Sequence, residues 1–134
     1  MTEKENLSIY DLMELAKLLR DPVKGCPWDK DQTFDSFKKN LVDEAEEAVK
    51  AIEKNDFKNL EEELGDTLFN LIFLINLAEE KELFTLNSVI RRIYEKMISR
   101  HPHVFGEKKA KNAEEALLLF LEAKKKEKNV AMPN

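Results

Sequence analysis

Residues 64–78, which read LGDTLFNLIFLINLA, decide the fold of this chain. As a helix this stretch is apolar around nearly its whole circumference, and helices of that kind are buried on all sides. A chain of 134 residues has few other elements with which to cover it. We therefore predict an all-α fold in which this helix is central. A homodimer or higher homo-oligomer that packs two such helices together would bury it, and a well-packed monomeric bundle is the alternative.

The spacing of apolar residues, with capping and breaking residues, predicts a helical bundle of about five helices. The predicted spans are residues 8–20, Thr33 or Asp35 to about 55, 57–81, 86–100 and 112–128. Pro and Gly predict loops at 21–32 and 101–106. No linker composition divides the sequence, so residues 8–128 form one predicted domain, with terminal tails at 1–7 and 129–134.

The charge balance and the cysteine count exclude several classes of function. The 27 acidic and 22 basic side chains leave a net charge of −5, without the basic footprint of a nucleic-acid-binding protein. Cys26 is the single cysteine, which excludes an intramolecular disulfide and fits a reducing compartment. The charged N-terminus does not resemble a signal peptide, and no apolar run reaches the ~20 residues of a membrane span. We expect a cytoplasmic protein with no membrane and no nucleic-acid partner.

One polar stripe interrupts the central helix, and the helix before it carries a matching stripe. At about 100° per residue, the first stripe groups Glu63, Asp66, Thr67 and Asn70. The second stripe groups Asn40, Glu44 and Glu47. The two helices are joined by a very short connection and should pack antiparallel, which pairs residue 47 with about 65 and residue 44 with about 68. The two stripes are therefore predicted to face each other.

Four carboxylates that converge in this way would repel one another unless a cation compensates their charge. They are Glu44, Glu47, Glu63 and Asp66. Oxygen ligands without His or Cys suit Mg²⁺ or Mn²⁺ better than zinc or copper. A solvated acidic face is the alternative for any one pair, because the chain has many acids. The two pairs together favour a magnesium site, in which Mn²⁺ could substitute.

Several motifs together resemble the MazG family of nucleoside triphosphate pyrophosphohydrolases over about residues 8–128. The motifs are LRDP at 19–22, GCPWD at 25–29, QT at 32–33, the E-x-x-E pair at 44–47, AI at 51–52, EELGD at 62–66, EK at 95–96 and RHPHVF at 100–105. The chain resembles the first half of the longer, two-repeat members of that family. No second repeat follows in this sequence.

The resemblance implies an all-α MazG-like fold that assembles as dimers. The implied active site lies between the second and third predicted helices and is completed by dimerisation. Mg²⁺ would be held by Glu44, Glu47, Glu63 and Asp66, and the implied reaction converts a nucleoside triphosphate and water into the monophosphate and pyrophosphate. Glu44 or Glu47 would position or deprotonate the water. Such an activity suggests a house-cleaning role in the nucleotide pool.

Substrate recognition is predicted to depend on charge and on aromatic stacking. The resemblance assigns phosphate binding to Lys96 and Arg100, which are four residues apart and share a helix face. Trp28 and Phe120 could stack on a base, and Asn40 or Asn70 could contact the base or sugar. Trp28 could equally anchor its loop on the core.

Because stacking tolerates every base, we expect broad use of NTPs and dNTPs. The missing second repeat supports the alternative function, a non-catalytic nucleotide-sensing or assembly module.

Overall fold

The computed structural model describes residues 5–130, and within that range the chain is helical without any strand. The helices are α1 Ile9–Leu19, α2 Pro27–Lys30, α3 Phe34–Glu53, α4 Phe57–Glu80, α5 Leu86–Ser99, α6 Pro102–Phe105 and α7 Ala113–Val130. The all-α prediction is confirmed, and the five predicted helices correspond to α1, α3, α4, α5 and α7. Of the predicted tails, residues 1–4 and 131–134 lie outside the described residues, and the predicted domain limits stay a prediction.

The two additional helices, α2 and α6, are single turns within the predicted loops. Each begins with a proline at its first position, Pro27 and Pro102 respectively. Proline favours this position because its fixed φ suits a helix and its missing N–H needs no partner there. Both prolines lie in segments predicted to be loops, and these single helical turns were not predicted.

The chain divides into two compact units, Met1–Leu86 and Asn87–Asn134, and each is described by itself. In the first unit, α3 and α4 form a hairpin around a short connection at residues 54–56. Thr33 caps α3 by accepting a hydrogen bond from the Ser36 amide, and Asp56 caps α4 by accepting one from Asn59. Asn55 in the connection has a φ of 55°, which Asn tolerates better than most residues. The hairpin predicted from the sequence is therefore present.

The core of the first unit lies between α3 and the C-terminal half of α4. Phe37, Phe73 and Leu77 form it, and the Phe37 and Phe73 rings stack with centroids 4.2 Å apart. In the N-terminal half of α4, by contrast, Leu64 is 52% exposed and Leu68 is 41% exposed. Within a single chain, burial on all sides is thus found only toward the C-terminal end of this helix.

The second unit contains most of α5 together with α6 and α7, and α6 packs on α7. The Ser99 hydroxyl at the end of α5 donates a hydrogen bond of 3.0 Å to the Glu127 carboxylate in α7. Across residues 5–130, no helix has both the length and the apolar character required to cross a bilayer.

Candidate metal centre

The acidic residues lie along one side of the α3–α4 hairpin. On α3, Glu44 is half-buried and lies about 20° around the helix axis from the buried Phe37. On α4, Glu63 is half-buried and Asp66, one turn later, is exposed. The apolar spacing of each helix thus directs its acids to the margin of the core, as predicted.

Three of the four predicted metal ligands come together. Glu44, Glu63 and Asp66 each offer one carboxylate oxygen, and these oxygens all lie within 4.8 Å of one another. Glu47 is outside this group of three. Its side chain is 51% exposed, and its Oε1 atom lies 3.5 Å from Lys50 Nζ. The role of Glu47 as a metal ligand therefore stays a prediction.

Burial and mutual repulsion act on the Glu63 carboxyl group. Partial desolvation, followed by the charges of Glu44 and Asp66, raises the pKa of Glu63 above its ordinary value of 4.5. A hydrogen bond shared with Glu44 and the charge of Glu47 add to the rise in pKa. None of the described residues forms an ion pair with Glu44, Glu63 or Asp66. No cationic side chain of the described residues therefore compensates this local negative charge.

This donor set fits a magnesium ion. It consists of carboxylate oxygens alone, the ligands that Mg²⁺ and Mn²⁺ prefer over nitrogen or sulfur. Oxygens bound to one Mg²⁺ at about 2.1 Å lie at most about 4.2 Å apart, a separation that small side-chain rotations would reach from the observed 4.8 Å. The three residues that would hold the ion are Glu44, Glu63 and Asp66.

Two polar side chains of α4 hydrogen-bond to the backbone of the acidic turn. Thr67 Oγ1 donates to the Glu63 carbonyl at 2.8 Å, and Asn70 Nδ2 donates to the Asp66 carbonyl at 2.7 Å. The other amide atom of Asn70, Oδ1, is buried and has no hydrogen-bond partner among residues 5–130. Asn70 is thus held beside the acids with one unused acceptor. The predicted contact of Asn70 with a base or sugar stays a prediction.

Gly65 of the EELGD motif and the predicted residue Asn40 also lie in this hairpin. None of the described residues places an atom within 4 Å of a Cβ built at Gly65. Asn40 is half-buried and lies one turn before Glu44 on α3. The sugar or base contact predicted for Asn40 also stays a prediction.

Trp28 lies in the first unit, on the core aromatic residues. Its ring centroid is 6.3 Å from that of Phe37, with the two planes at 58°. The side chain is nevertheless 55% exposed. Phe37 precedes Glu44 by about two turns on the same face of α3, so Trp28 is supported by the face that also carries an acid of the metal centre.

The cationic residues predicted to bind phosphate lie in the second unit. Lys96 is half-buried near the end of α5, and Arg100 follows the helix. Arg100 Nε donates to Glu127 Oε2 at 3.1 Å, and its guanidinium lies 5.7 Å from the Phe120 centroid. Burial alone would raise the pKa of Glu127, but hydrogen bonds from Arg100 and Ser99 hold it below its ordinary value. The phosphate role of Lys96 and Arg100 and the stacking role of Phe120 stay predictions.

Two ion pairs between residues far apart in sequence were not predicted. Arg20 pairs with Glu80 across 60 positions of sequence, and Arg100 pairs with Glu127 across 27. Arg20 belongs to the LRDP motif, which gives no role to it. Glu80 and Glu127 resemble any other helix-surface acid in the sequence, so no local signal could have identified them.

Comparison with known proteins identifies the same family over the whole α3–α4 hairpin and beyond. Residues 32–105 match the MazG nucleotide pyrophosphohydrolase domain. The chain is 39% identical to a nucleoside triphosphate pyrophosphohydrolase of Escherichia coli over 117 residues, which cover 87% of this chain and 44% of that protein. It is 42% identical over 97 residues to nucleoside triphosphate pyrophosphohydrolase/pyrophosphatase MazG of Thermotoga maritima, covering 72% of this chain and 38% of that protein. The chain therefore spans less than half the length of these relatives.

A solved structure of similar length has the same fold. The crystal structure of a mazG-related protein from Thermotoga maritima superimposes with a TM-score of 0.71 at 34% sequence identity. The match covers 87% of this chain and 98% of the other.

Proposed function

The chain belongs to the MazG nucleotide pyrophosphohydrolase family, and from that premise we propose that it hydrolyses nucleoside triphosphates to the monophosphate and pyrophosphate. The observation that carries the proposal is the group formed by Glu44, Glu63 and Asp66, whose oxygens lie within 4.8 Å of one another without a cationic partner among the described residues. An enzyme that acts on a polyphosphate needs a cation at the reacting phosphate, and this group can hold one.

Mg²⁺, or Mn²⁺ in its place, would be bound by Glu44, Glu63 and Asp66. When bound, the ion would supply charge stabilisation for the phosphate oxygens. Asn70, pinned to the Asp66 carbonyl, would hold the α4 side of the centre in place. Thr67 would do the same through the Glu63 carbonyl.

Glu47 is the residue best suited to act on the attacking water. Its carboxylate is outside the group of three, and its ion pair with Lys50 is an exposed contact of 3.5 Å. It can therefore accept a proton from water as the oxygen attacks the α-phosphorus. The bond from that phosphorus to the bridging oxygen then breaks, and pyrophosphate leaves. Glu44, the alternative base, is already part of the metal group.

We expect a broad range of NTP and dNTP substrates. Contacts to phosphate do not distinguish one base from another. Aromatic stacking accepts every base, because each base has a π-face. Lys96 and Arg100 are the proposed phosphate contacts, and Asn40, Asn70, Trp28 and Phe120 the proposed contacts to base or sugar. Removal of unwanted nucleotides from the cytoplasmic pool would be the corresponding physiological role.

A homodimer or higher homo-oligomer is the proposed state of assembly. The side of the hairpin opposite the acids is apolar and exposed, and we call it the apolar side of the hairpin. Its members are Val42, Val49 and Ile52 on α3 and Leu64, Leu68 and Leu71 on α4, each between 41% and 55% exposed. A second copy would remove this surface from water, which favours association.

Pyrophosphate release from a panel of NTPs and dNTPs with Mg²⁺ tests the proposed activity. Glu44→Gln and Asp66→Asn should abolish turnover. Glu46→Gln and Glu61→Gln, which neutralise exposed acids away from the metal group, should retain it. Absence of turnover for every nucleotide at high protein concentration would instead favour the non-catalytic nucleotide-sensing or assembly module.

A further inference from the structure

A continuous column of side chains connects Arg20 to Trp28 in the first unit. The Arg20 guanidinium carbon lies 5.7 Å from the Phe73 ring centroid, Phe73 stacks on Phe37 at 4.2 Å, and Phe37 meets Trp28 at 6.3 Å. Phe73 is 0% exposed and Phe37 is 5% exposed, whereas Trp28 at the end of the column is 55% exposed. The column therefore ends in an aromatic ring that is supported from below and open to solvent.

Arg20 also holds the segment that carries Trp28 by its backbone. Arg20 Nη1 donates to the carbonyl oxygens of Asp29 at 2.5 Å and Gln32 at 3.1 Å. These carbonyls lie on the C-terminal side of Trp28, around the end of α2. Because they are in the same short segment as the indole, the guanidinium limits how far the ring can move.

The guanidinium itself is fixed by α4. Arg20 Nε and Nη2 donate to the two oxygens of Glu80 at 2.6 and 2.8 Å, a bidentate pair. Asn76, which is 2% exposed, donates to Glu80 at 3.2 Å and so holds that carboxylate. The Arg20 side chain is only 13% exposed in this arrangement. Lysine could not satisfy Glu80 and the loop carbonyls at once, because its ammonium lacks the planar fork.

An indole that only anchored the loop would bury its ring against the core, and Trp28 does not. Trp28 is 55% exposed, and its ring centroid lies 6.3 Å from that of Phe37, which precedes Glu44 by about two turns on the same face of α3. We infer that Trp28 is a stacking platform for the nucleobase and that Arg20 is the positioning residue that holds it. This inference rests on the proposed function, because it names how the substrate of that same site is held.

Fluorescence tests the platform without any turnover. Trp28 is the single tryptophan of the chain, so intrinsic tryptophan emission reports this ring alone. We expect AMP and ATP, titrated in EDTA, to quench or shift that emission with saturation, and inorganic triphosphate, which lacks a base, to leave it unchanged. Emission that ignores both nucleotides, or that responds equally to inorganic triphosphate, would overturn the inference.

A double-mutant cycle tests the positioning role. Trp28→Leu and Arg20→Lys should each raise KM roughly tenfold with a smaller change in kcat, since base stacking is lost or misplaced. In the Trp28→Leu background, Arg20→Lys should raise KM no further, because the ring it positions is gone. Lys17→Gln is the matched control: it removes a cation one turn earlier on α1 that pairs with Glu79 at 3.6 Å, and KM should not change.

If the increases in KM of the two single variants multiply in the double variant, or if Arg20→Lys leaves KM unchanged, Arg20 is only structural. If Arg20→Lys does not fold, Glu80→Gln takes its place in the cycle, since it loosens the same guanidinium from α4. An inactive wild-type protein would contradict the proposed function, and the fluorescence titration would still decide the inference. An active protein whose Trp28 emission does not respond to nucleotide would contradict this inference and leave the proposed function intact.

Discussion

Glu44 of α3 and Glu63 of α4 bring carboxylate oxygens within 4.8 Å of each other across the hairpin. The two residues are 19 positions apart in the sequence, and the antiparallel packing of the two helices brings them together. Partial desolvation, together with the charges of Glu44 and Asp66, raises the pKa of Glu63 above its ordinary value. Binding of a cation and folding should therefore be coupled at this pair.

Metal binding should stabilise the folded protein. A ligand at a hundredfold excess over its Kd stabilises the native state by about 2.7 kcal/mol, provided that the unfolded chain does not bind it. We expect the melting temperature, followed by circular dichroism, to rise with millimolar Mg²⁺ or Mn²⁺ over EDTA. Glu63→Gln should lose this rise, while Glu61→Gln on another face of α4 should keep it. A melting temperature that neither ion changes would rule out the carboxylate site.

In the metal-free protein, the free energy of unfolding should depend on pH through the Glu63 carboxyl group. Its pKa is raised in the folded state above the ordinary 4.5, so the folded state binds this proton more tightly than the unfolded state does. The stabilisation from that proton is complete below pH 4.5 and is lost as the pH rises through the folded-state pKa. In EDTA, Glu63→Gln should therefore be more stable than wild type at pH 7.

Urea unfolding of both proteins from about pH 4 to pH 8 measures this difference in the free energy of unfolding. The gap between variant and wild type should narrow toward pH 4, because wild-type Glu63 is then protonated. A gap that is independent of pH would mean that the Gln side chain acts by some route other than charge.

Assembly should depend on the apolar side of the hairpin. Leu68 is 41% exposed in the single chain, and a charge placed there would be buried without a partner in the proposed interface. Sedimentation should give twice the 15.6 kDa chain mass for wild type and the monomer mass for Leu68→Asp. Val23→Asp, at a loop residue that is 85% exposed, is the control and should remain dimeric. A wild-type protein that sediments as a 15.6 kDa monomer at micromolar concentration would contradict the proposal.

If Arg100 binds phosphate, its replacement should reduce kcat/KM for every nucleotide by a similar factor. Arg100→Ala is expected to lower kcat/KM by a similar factor for all NTPs, since phosphate contacts carry no information about the base. Glu127→Gln separates this role from structure, because it removes the carboxylate that accepts from Arg100 Nε at 3.1 Å but leaves the guanidinium charge in place. We expect Glu127→Gln to retain most of the activity. Equal losses in the two variants would indicate that the Arg100–Glu127 pair is structural.

The local sequence pattern was sufficient to predict most of the acidic group that forms the candidate metal centre. The periodicity of α3 and α4 and the short connection at 54–56 were sufficient to predict an antiparallel hairpin with Glu44, Glu63 and Asp66 on one side. The reason is that helix geometry relates positions three, four and seven residues apart, and a short turn fixes how two helices face each other. Both kinds of information are contained within the hairpin itself, between Phe34 and Glu80.

Tertiary structure alone decided which apolar residues are covered and which charges are paired. Periodicity marks Leu64 and Leu77 as equally apolar, yet Leu77 is 1% exposed and Leu64 is 52% exposed, because α1 and α3 cover only part of α4. Likewise, the pairing of Arg20 with Glu80 joins residues 60 positions apart. Many acids in this sequence could have paired with Arg20, and the packing of the helices selects one of them. Contacts between distant positions depend on where whole elements come to lie, and the local pattern of residues does not specify that.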